Sequence, residues 1–575
     1  MSKNVSEQIV EMLVDAGVKR IYAVTGDSLN HLNDAVQKND EIEWIHVRHE
    51  EVGAYAAAAE AELGELAVCA GSSGPGHVHL INGVYDAHRS HVPMLVIAST
   101  MSSFEYGTDY FQETNTIKLF DDCSHYNQVI MTAKQAPRML QNALQQAISK
   151  KGVAVIGLPG DISELPAEEN LTSNKIFRTN PIIRPNDSEM SALASLINES
   201  NKITLFCGIG AENAHHEVVE LSQKLNAPVG YSFRGKMGIQ FDNPNEIGMT
   251  GLLGLPSAYH SMHSSDLIVL LGTDFPYHDF IPKDIKIVQI DTASERLGRR
   301  ATLDLGLCGD VKDTIKALLP MVLQKSNDDF LQSQLKVYEK VKEDLRTYVE
   351  NSGTTENIQP EFVADTLCRL ADDDAIFTVD TGMTCVWGAR FIRSTGKRKL
   401  LGSFNHGSMA NAMPMAIGAA LSRPDQQVIA MCGDGGISML LGDLATINQY
   451  KLPVKMIVFN NRSLGMVKLE MQVAGLLDYE TEMINPDFAK VGEAMGIKSE
   501  NITEPSQVEA AIKRAFDFDG PYLLNVFTNQ NALALPPKIS GNQVIGMTKS
   551  MTKMMLGGKM DEVWDTIKSN YKHLF

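Results

Sequence analysis

Asp434 and Asn461 are the residues on which chemistry can be built, and they stand 27 positions apart. Asp434 lies in Gly433-Asp434-Gly435-Gly436, and Asn461 closes Phe459-Asn460-Asn461. An anionic oxygen and a neutral amide oxygen suit Mg²⁺, which takes a few such ligands and completes its shell with phosphate oxygens and water. Gly433, Gly435 and Gly436 let backbone N–H groups approach a phosphate at a helix N-terminus. The pair therefore fits a divalent cation carrying a diphosphate. An ordinary tight strand-to-helix turn uses the same Gly-Asp-Gly-Gly material, so the distant Asn is what makes the pattern specific.

The surrounding elements place both residues at one edge. Gln427–Cys432 is a short apolar run, as a buried strand is, and Ile437, Leu440, Leu441, Leu444, Ile447 and Tyr450 recur at helical spacing. Pro453 stops that helix, and Val454–Phe459 reads as a second buried strand. A right-handed strand–helix–strand unit of this kind puts the two strand ends side by side. The chain holds an echo of it. Val68–Thr100 runs through strand, Gly71-Ser72-Ser73-Gly74, helix, His91-Val92-Pro93 and strand, but lacks the Asp and Asn. Any two such units look alike. If the echo is a duplication, the first copy has another task, and a nearby glutamate becomes a candidate for it.

With 575 residues and 44% hydrophobic content, the chain is expected to form several domains with large cores. A net charge of −19 argues against a nucleic-acid-binding surface. No apolar run approaches the roughly 20 residues of a membrane span, and Met1–Val5 lacks a signal-peptide core. Seven scattered cysteines without a Cys-x-x-Cys suit reduced thiols in a cytoplasmic protein.

Alternating helix and strand patterns predict an α/β fold: three doubly wound parallel-sheet domains at 1–165, 185–330 and 355–530, with a C-terminal helical tail at 531–575. A helix at 5–16 and a strand at 20–24 lead to the turn Gly26-Asp27-Ser28. A strand at 42–46 ends in Arg48-His49-Glu50-Glu51, and an alanine-rich helix at 52–62 follows. Strands are expected in the middle segment at Ile203–Cys207, Pro228–Phe233, Leu267–Leu271 and Lys286–Ile290. Asp291 at a strand end suits either ribose hydroxyls or a turn cap. Polar residues 163–190 read as a linker, and charged residues 325–358 as a connecting helix.

Val24–Asn30, Arg48–Val52, Tyr110–Thr114, Thr250–Gly254, Gly402–Pro414 and Gly433–Gly436 together resemble the bacterial quinone-dependent pyruvate dehydrogenases, also called pyruvate oxidases, over nearly the whole chain. The resemblance implies thiamine diphosphate, Mg²⁺ and FAD, in pyrimidine-binding, FAD-binding and diphosphate-binding domains. It implies metal ligation by Asp434, Asn461 and the Ser463 carbonyl. Gly407, Ser408, Met409, Gly435, Gly436, Leu464, Gly465, Met466 and Val467 are the matching thiamine contacts, Met409 supporting the bent cofactor. Thr250, Gly251, Leu252, Leu253, Thr273, Asp274, Phe275, Pro276, Tyr277 and Asp291 match FAD contacts. Glu50 matches the carboxyl group that activates the pyrimidine ring; Gln112, Phe111 and Asp27 match positions near the reacting carbons. His88 and His91 are read as solvated or capping, and Met413 and Met415 as core filler. Two departures stand out: Met466 replaces a usual phenylalanine and Thr381 a usual valine.

The activity this implies is oxidation of pyruvate to acetate and CO₂, with electrons passed to membrane quinone by a homotetramer peripheral to the inner face of the cell membrane. The rivals are an oxygen- and phosphate-dependent oxidase making acetyl phosphate and hydrogen peroxide, an acetolactate synthase, and a catalytically silent FAD-binding, membrane-associated protein. Within the tail, Met560, Val563, Trp564, Ile567, Tyr571 and Leu574 form a helical stripe with lysines mostly off it. That stripe suits either reversible membrane-surface contact or packing on the protein's own body.

Overall fold

The computed structural model describes residues 3–64, 66–169, 175–350 and 357–532, and from the tail 547, 549–554, 563 and 566. Its strands form three six-stranded parallel sheets. The first holds β1 (Arg20–Ala23), β2 (Glu43–His46), β3 (Ala67–Gly71), β4 (Met94–Thr100), β5 (Tyr126–Val129) and β6 (Val153–Pro159), in the order β2-β1-β3-β4-β6-β5. The second holds β7 (Ile203–Cys207), β8 (Val229–Tyr231), β9 (Glu246–Met249), β10 (Leu267–Leu271), β11 (Lys286–Asp291) and β12 (Leu305–Cys308), in the order β12-β11-β10-β7-β8-β9. The third holds β13 (Ile376–Val379), β14 (Lys399–Leu401), β15 (Val428–Gly433), β16 (Lys455–Asn460), β17 (Lys498–Ile502) and β18 (Tyr522–Phe527), in the order β14-β13-β15-β16-β18-β17. Parallel sheets are covered by helices on both faces, so their inner strands read as unbroken apolar runs. β3, β4, β6, β7 and β10 are buried at every position.

Counted within each domain, the first and third sheets have the same strand order, and the echo seen in the sequence is an echo of topology. These two domains also pack on each other through small residues. The helix Glu50–Leu63 is buried along nearly its whole length, its small alanines letting neighbouring backbones come close. It lies against Ala412–Ser422, sharing a core with Ala416, Ala419 and Ala420. Gly418 sits on the Ala56 backbone so closely that any Cβ there would collide with the Ala56 carbonyl. This contact fixes where Glu50, the first residue of its helix, stands relative to the third sheet.

Some expectations need correction. The single helix expected over 437–450 is three pieces: Asp434–Met439, the 3₁₀ turn Leu441–Asp443, and Leu444–Gln449. Leu440, at φ −122°, breaks it, and it ends before Pro453 is reached. β8 is three residues long because Phe233 begins a 3₁₀ turn. β9 and β12 were not foreseen: each is four residues with a glycine inside, too short for a periodic signal.

The apolar stripe expected in the tail lies outside the described residues except for Val563. The described tail residues touch the third domain. Met547 packs with Leu469, Ser550 Oγ donates to the Leu476 carbonyl (3.0 Å), and Lys553 Nζ to the Gly475 carbonyl (2.8 Å). Among the described residues, no helix is long and apolar enough to cross a membrane.

Candidate active site

β15 and β16 are adjacent and parallel, so Asp434 and Asn461 emerge side by side from their C-terminal ends. Asp434 is buried and heads the helix Asp434–Met439. Its Oδ1 accepts the Gly435 N–H (2.9 Å), and its Oδ2 accepts the Arg462 N–H (2.7 Å) and Asn485 Nδ2 (2.8 Å). Burial pushes its pKa up, and these three donors pull against that rise. Asn461 Oδ1 accepts the Ser463 N–H at 3.0 Å, which curls the loop so that Ser463 turns inward. Ser463 Oγ is buried without a hydrogen-bonding partner. A buried carboxylate beside an amide oxygen and an orphaned hydroxyl is an oxygen-rich nook of the kind Mg²⁺ uses. Among the described residues, no group of three His, Cys, Asp or Glu is placed to hold a metal. Any ion here depends on the mixed oxygen set.

Asp434, Gly435, Gly436, Asn461 and Ser463–Val467 line one cavity of about 1270 Å³, together with Gly407 and Met409. Met409 closes over the turn: a Cβ on Gly435 would stand 3.1 Å from Met409 Cε and 3.1 Å from Leu464 Cδ2. Thr381 lines the same space. Ser408 does not; it turns toward the first domain, where its Oγ accepts Asn82 Nδ2 at 3.0 Å. The cavity continues to the second sheet, where Thr250–Leu253 and Thr273–Tyr277 line it. Pockets that take one drug-sized ligand run to roughly 300–1,000 Å³, and this cavity exceeds that range. Its wall carries Arg89, Arg234, Arg296, Arg299 and Arg300, a cationic lining in an acidic chain. Asp274 pairs with Arg299 and with Arg300 (3.3 Å).

Asp291 stands apart from the cavity. It is buried at the end of β11, and its Oδ1 accepts the Ala293 N–H at 2.9 Å. Of its two expected roles, the turn cap is the one in place. His88 and His91, read as solvated or capping, both line the cavity; His91 is exposed as that reading has it, and its Nε2 is 2.8 Å from Arg296 Nη2. The reason is that their helix end meets the second domain. Met413 and Met415 are core, as expected.

Glu50, Asp27, Phe111 and Gln112 are not among the residues lining this cavity. They gather at the corresponding edge of the first sheet. Glu50 is buried, with Oε2 2.9 Å from His79 Nδ1, and His79 stacks on His49. Asp27 begins the turn after β1. Its neighbour Ser28 accepts the Ser73 N–H (2.9 Å), and Ser73 Oγ donates to Gln112 Oε1 (3.0 Å). Gln112 holds a left-handed backbone, φ 63°. Phe111 is 77% exposed rather than enclosed between ligands. One chain therefore carries two separate groups of candidate residues, one on each of the two topologically equal sheets.

Two site residues were missed from the sequence. Asn485 braces Asp434 from a loop 51 positions away, with no periodicity to mark it. Asp380 follows β13 at the same sheet edge as Asp434. Its place after a strand, before Thr381-Gly382, was the available signal.

Comparison with known proteins agrees with this layout. Residues 3–119, 190–318 and 380–526 match the models of the N-terminal binding, central and C-terminal binding domains of thiamine pyrophosphate enzymes. The chain is 34% identical to the putative thiamine pyrophosphate-containing protein YdaP of Bacillus subtilis, over 100% of both chains. It is 30% identical to the pyruvate oxidase of Lactiplantibacillus plantarum, over 88% of this chain and 85% of that one. It is also 28% identical to the chloroplastic acetolactate synthase of Arabidopsis thaliana, over 93% of this chain and 82% of that protein.

Proposed function

The chain belongs to the thiamine pyrophosphate enzymes, and within that family we propose that it oxidises pyruvate to acetate and CO₂ with thiamine diphosphate, Mg²⁺ and FAD, passing the electrons to a membrane quinone. The observation that carries this reading is the cavity that the second and third domains share. The turn at Asp434 and the loops at Thr250–Leu253 and Thr273–Tyr277 open into one space, which suits chemistry that must hand electrons from one cofactor to another. The arginine lining suits a second phosphate-bearing ligand.

When bound, thiamine diphosphate supplies the electron sink for decarboxylation. The chain supplies the rest. Asp434, Asn461 and the Ser463 carbonyl would hold the metal, and the buried Asp434 would be kept ionised by its charge. Met409 and Leu464 wall the cavity against water above the diphosphate turn. Glu50 is the acid–base group for the pyrimidine, a role that suits a buried carboxyl partnered by one imidazole. Gln112 and Asp27 sit where a keto acid would meet polar groups. The two half-sites join across a second copy of the chain. Exposed Phe104, Tyr110 and Phe111 near one, and Leu476, Leu477, Tyr479 and Ile484 near the other, are apolar surface suited to burial between copies. A homotetramer is the assembly proposed. The tail lies docked on the third domain when idle and contacts the membrane surface when electrons are to be delivered.

The test is incubation of purified protein with pyruvate under three conditions: a quinone analogue, oxygen with phosphate, and no acceptor. Acetate with quinone reduction is expected. Acetyl phosphate with peroxide, or acetolactate without an acceptor, would replace this reading with one of its rivals.

A further inference from the structure

Asp380 lies beneath the site, 1% exposed, and bonds to both of the loops that form it. Its Oδ1 accepts the Ala412 N–H at 2.9 Å, and its Oδ2 accepts the Gly433 N–H at 3.0 Å. Ala412 ends the segment that carries Met409; Gly433 begins the turn that carries Asp434. The Met409 segment is a strained one. Gly407 and Ala410 both have positive φ, 79° and 66°, and for alanine that conformation is costly without an external hold. Gly436 closes the arrangement from the other side, since any Cβ there would collide with Asp380 Oδ2. One carboxylate thus joins the wall of the cavity to its floor.

We propose that Asp380 is a positioning residue that locks the Met409 segment to the Asp434 turn, so that the diphosphate site is already formed before the cofactor arrives. The proposal rests on the thiamine diphosphate reading of this site. Burial pushes this carboxyl up to about 7 while the backbone N–H groups it accepts pull it down, and its two oxygens serve donors on both sides at once. Asparagine has the same shape but one oxygen, so its amide N–H₂ must face one of the two backbone N–H groups. One loop is then released while the fold keeps its volume.

The experiment compares full-length wild type, Asp380→Asn and Glu361→Gln, the last a buried carboxyl of the same domain that does not line the cavity. Each is titrated with thiamine diphosphate and Mg²⁺ by calorimetry, and its thermal midpoint is read with and without cofactor. Loss of one buried bond to a charged group should weaken cofactor binding in Asp380→Asn by ~10-fold or more. Its cofactor-free midpoint should stay near that of wild type, while Glu361→Gln should keep wild-type affinity. Wild-type affinity in Asp380→Asn overturns the proposal. So does an equal loss in both variants, which would mark a general effect of removing buried carboxyls. Wild type that binds no thiamine diphosphate would instead bring down the cofactor reading itself. If Asp380→Asn does not fold, Gly436→Ala displaces the carboxylate without removing it; unchanged affinity in that variant overturns the proposal equally.

Discussion

The first and third domains are the same sheet used twice. Both have the strand order 2-1-3-4-6-5 counted within the domain, and both carry their candidate residues where strands end. After the third strand the first domain has Gly71-Ser72-Ser73-Gly74 and the third has Gly433-Asp434-Gly435-Gly436. After the second strand the first domain has Glu50, heading a buried helix; the third has the segment that leads to Met409. Topology thus decides where a functional side chain stands, and one or two substitutions decide what it does. The first edge offers a carboxyl, imidazoles and hydroxyls for proton movement. The third offers a carboxylate, an amide and glycines for a metal and a diphosphate. The middle sheet has another order, 3-2-1-4-5-6 within its domain, and falls outside the comparison.

The sharpest way to break the comparison is to exchange the distinguishing residue. Asp434→Ala should abolish detectable thiamine diphosphate binding at micromolar cofactor. That loss goes beyond the ~10–100-fold that removing an outer-shell metal partner typically costs. FAD should be retained, because its proposed loops belong to the second domain. The reverse change, Ser72→Asp, should create no second site, since the first edge has no Asn461 counterpart and no Asn485 to brace the carboxylate. Calorimetry with cofactor and Mg²⁺ decides both. Full occupancy in Asp434→Ala would remove the third edge from its assigned role.

Next in size is the first edge. Glu50→Gln keeps the shape and loses the ionisable group. It should bind cofactor normally while turnover falls by about 10²–10⁴, the range of general acid–base catalysis. Near-normal proton exchange at the thiamine C2 carbon in that variant would mean that Glu50 serves only as a helix-start residue.

Much of this was readable from residues alone, for physical reasons. Strands covered on both faces become apolar runs, so β3, β4, β7 and β10 showed themselves, and the Asp434–Asn461 spacing pointed to the edge proposed for the metal. Periodicity needs length, which hid the four-residue β9 and β12. Bracing from a distant loop leaves no spacing, which hid Asn485. The separation of Glu50 from Asp434 within one chain left no mark in residue spacing; only the family resemblance, which implies a thiamine site between two chains, pointed to it. It depends on how the helices 50–63 and 412–422 pack, and Gly418 against Ala56 is a contact between distant segments.

The two edges should also differ in their response to acid. His77, beside the first edge, is buried, with Nδ1 2.9 Å from the Ser99 carbonyl, and burial lowers its pKa from 6.5 to about 4. Below pH 6.5 the unfolded chain takes up a proton that the folded chain refuses. Stability therefore falls as the pH drops toward 4, by about 3 kcal/mol at the lower end. Asp434 acts in the opposite direction. Its folded pKa is raised, so it favours the cofactor-free fold at low pH and that contribution is lost as pH rises. His77→Gln should flatten the fall of the thermal midpoint between pH 6.5 and 4. An unchanged slope would place the acid sensitivity elsewhere.

The smallest expected effect concerns the middle sheet and asks whether its strand ends follow the same rule as the other two. In the flanking sheets, the candidate acids stand just past strand ends, where Asp434 lines the cavity and Glu50 meets His79. Asp291, at the end of β11, instead turns its Oδ1 to the Ala293 N–H and does not line the cavity. Asparagine supplies the same oxygen at the same place, and short side chains of this kind close such turns interchangeably. Asp291→Asn should therefore leave flavin retention unchanged and stability within about 0.5 kcal/mol of wild type. Asp291→Ala, which leaves the Ala293 N–H without its acceptor, should cost about 1 kcal/mol. Flavin released on gel filtration, read by absorbance, and the thermal midpoint separate the two roles. If Asp291→Asn loses flavin while keeping its midpoint, the carboxylate reaches the ligand after all. The middle sheet would then share the strand-end rule of its neighbours despite its different order.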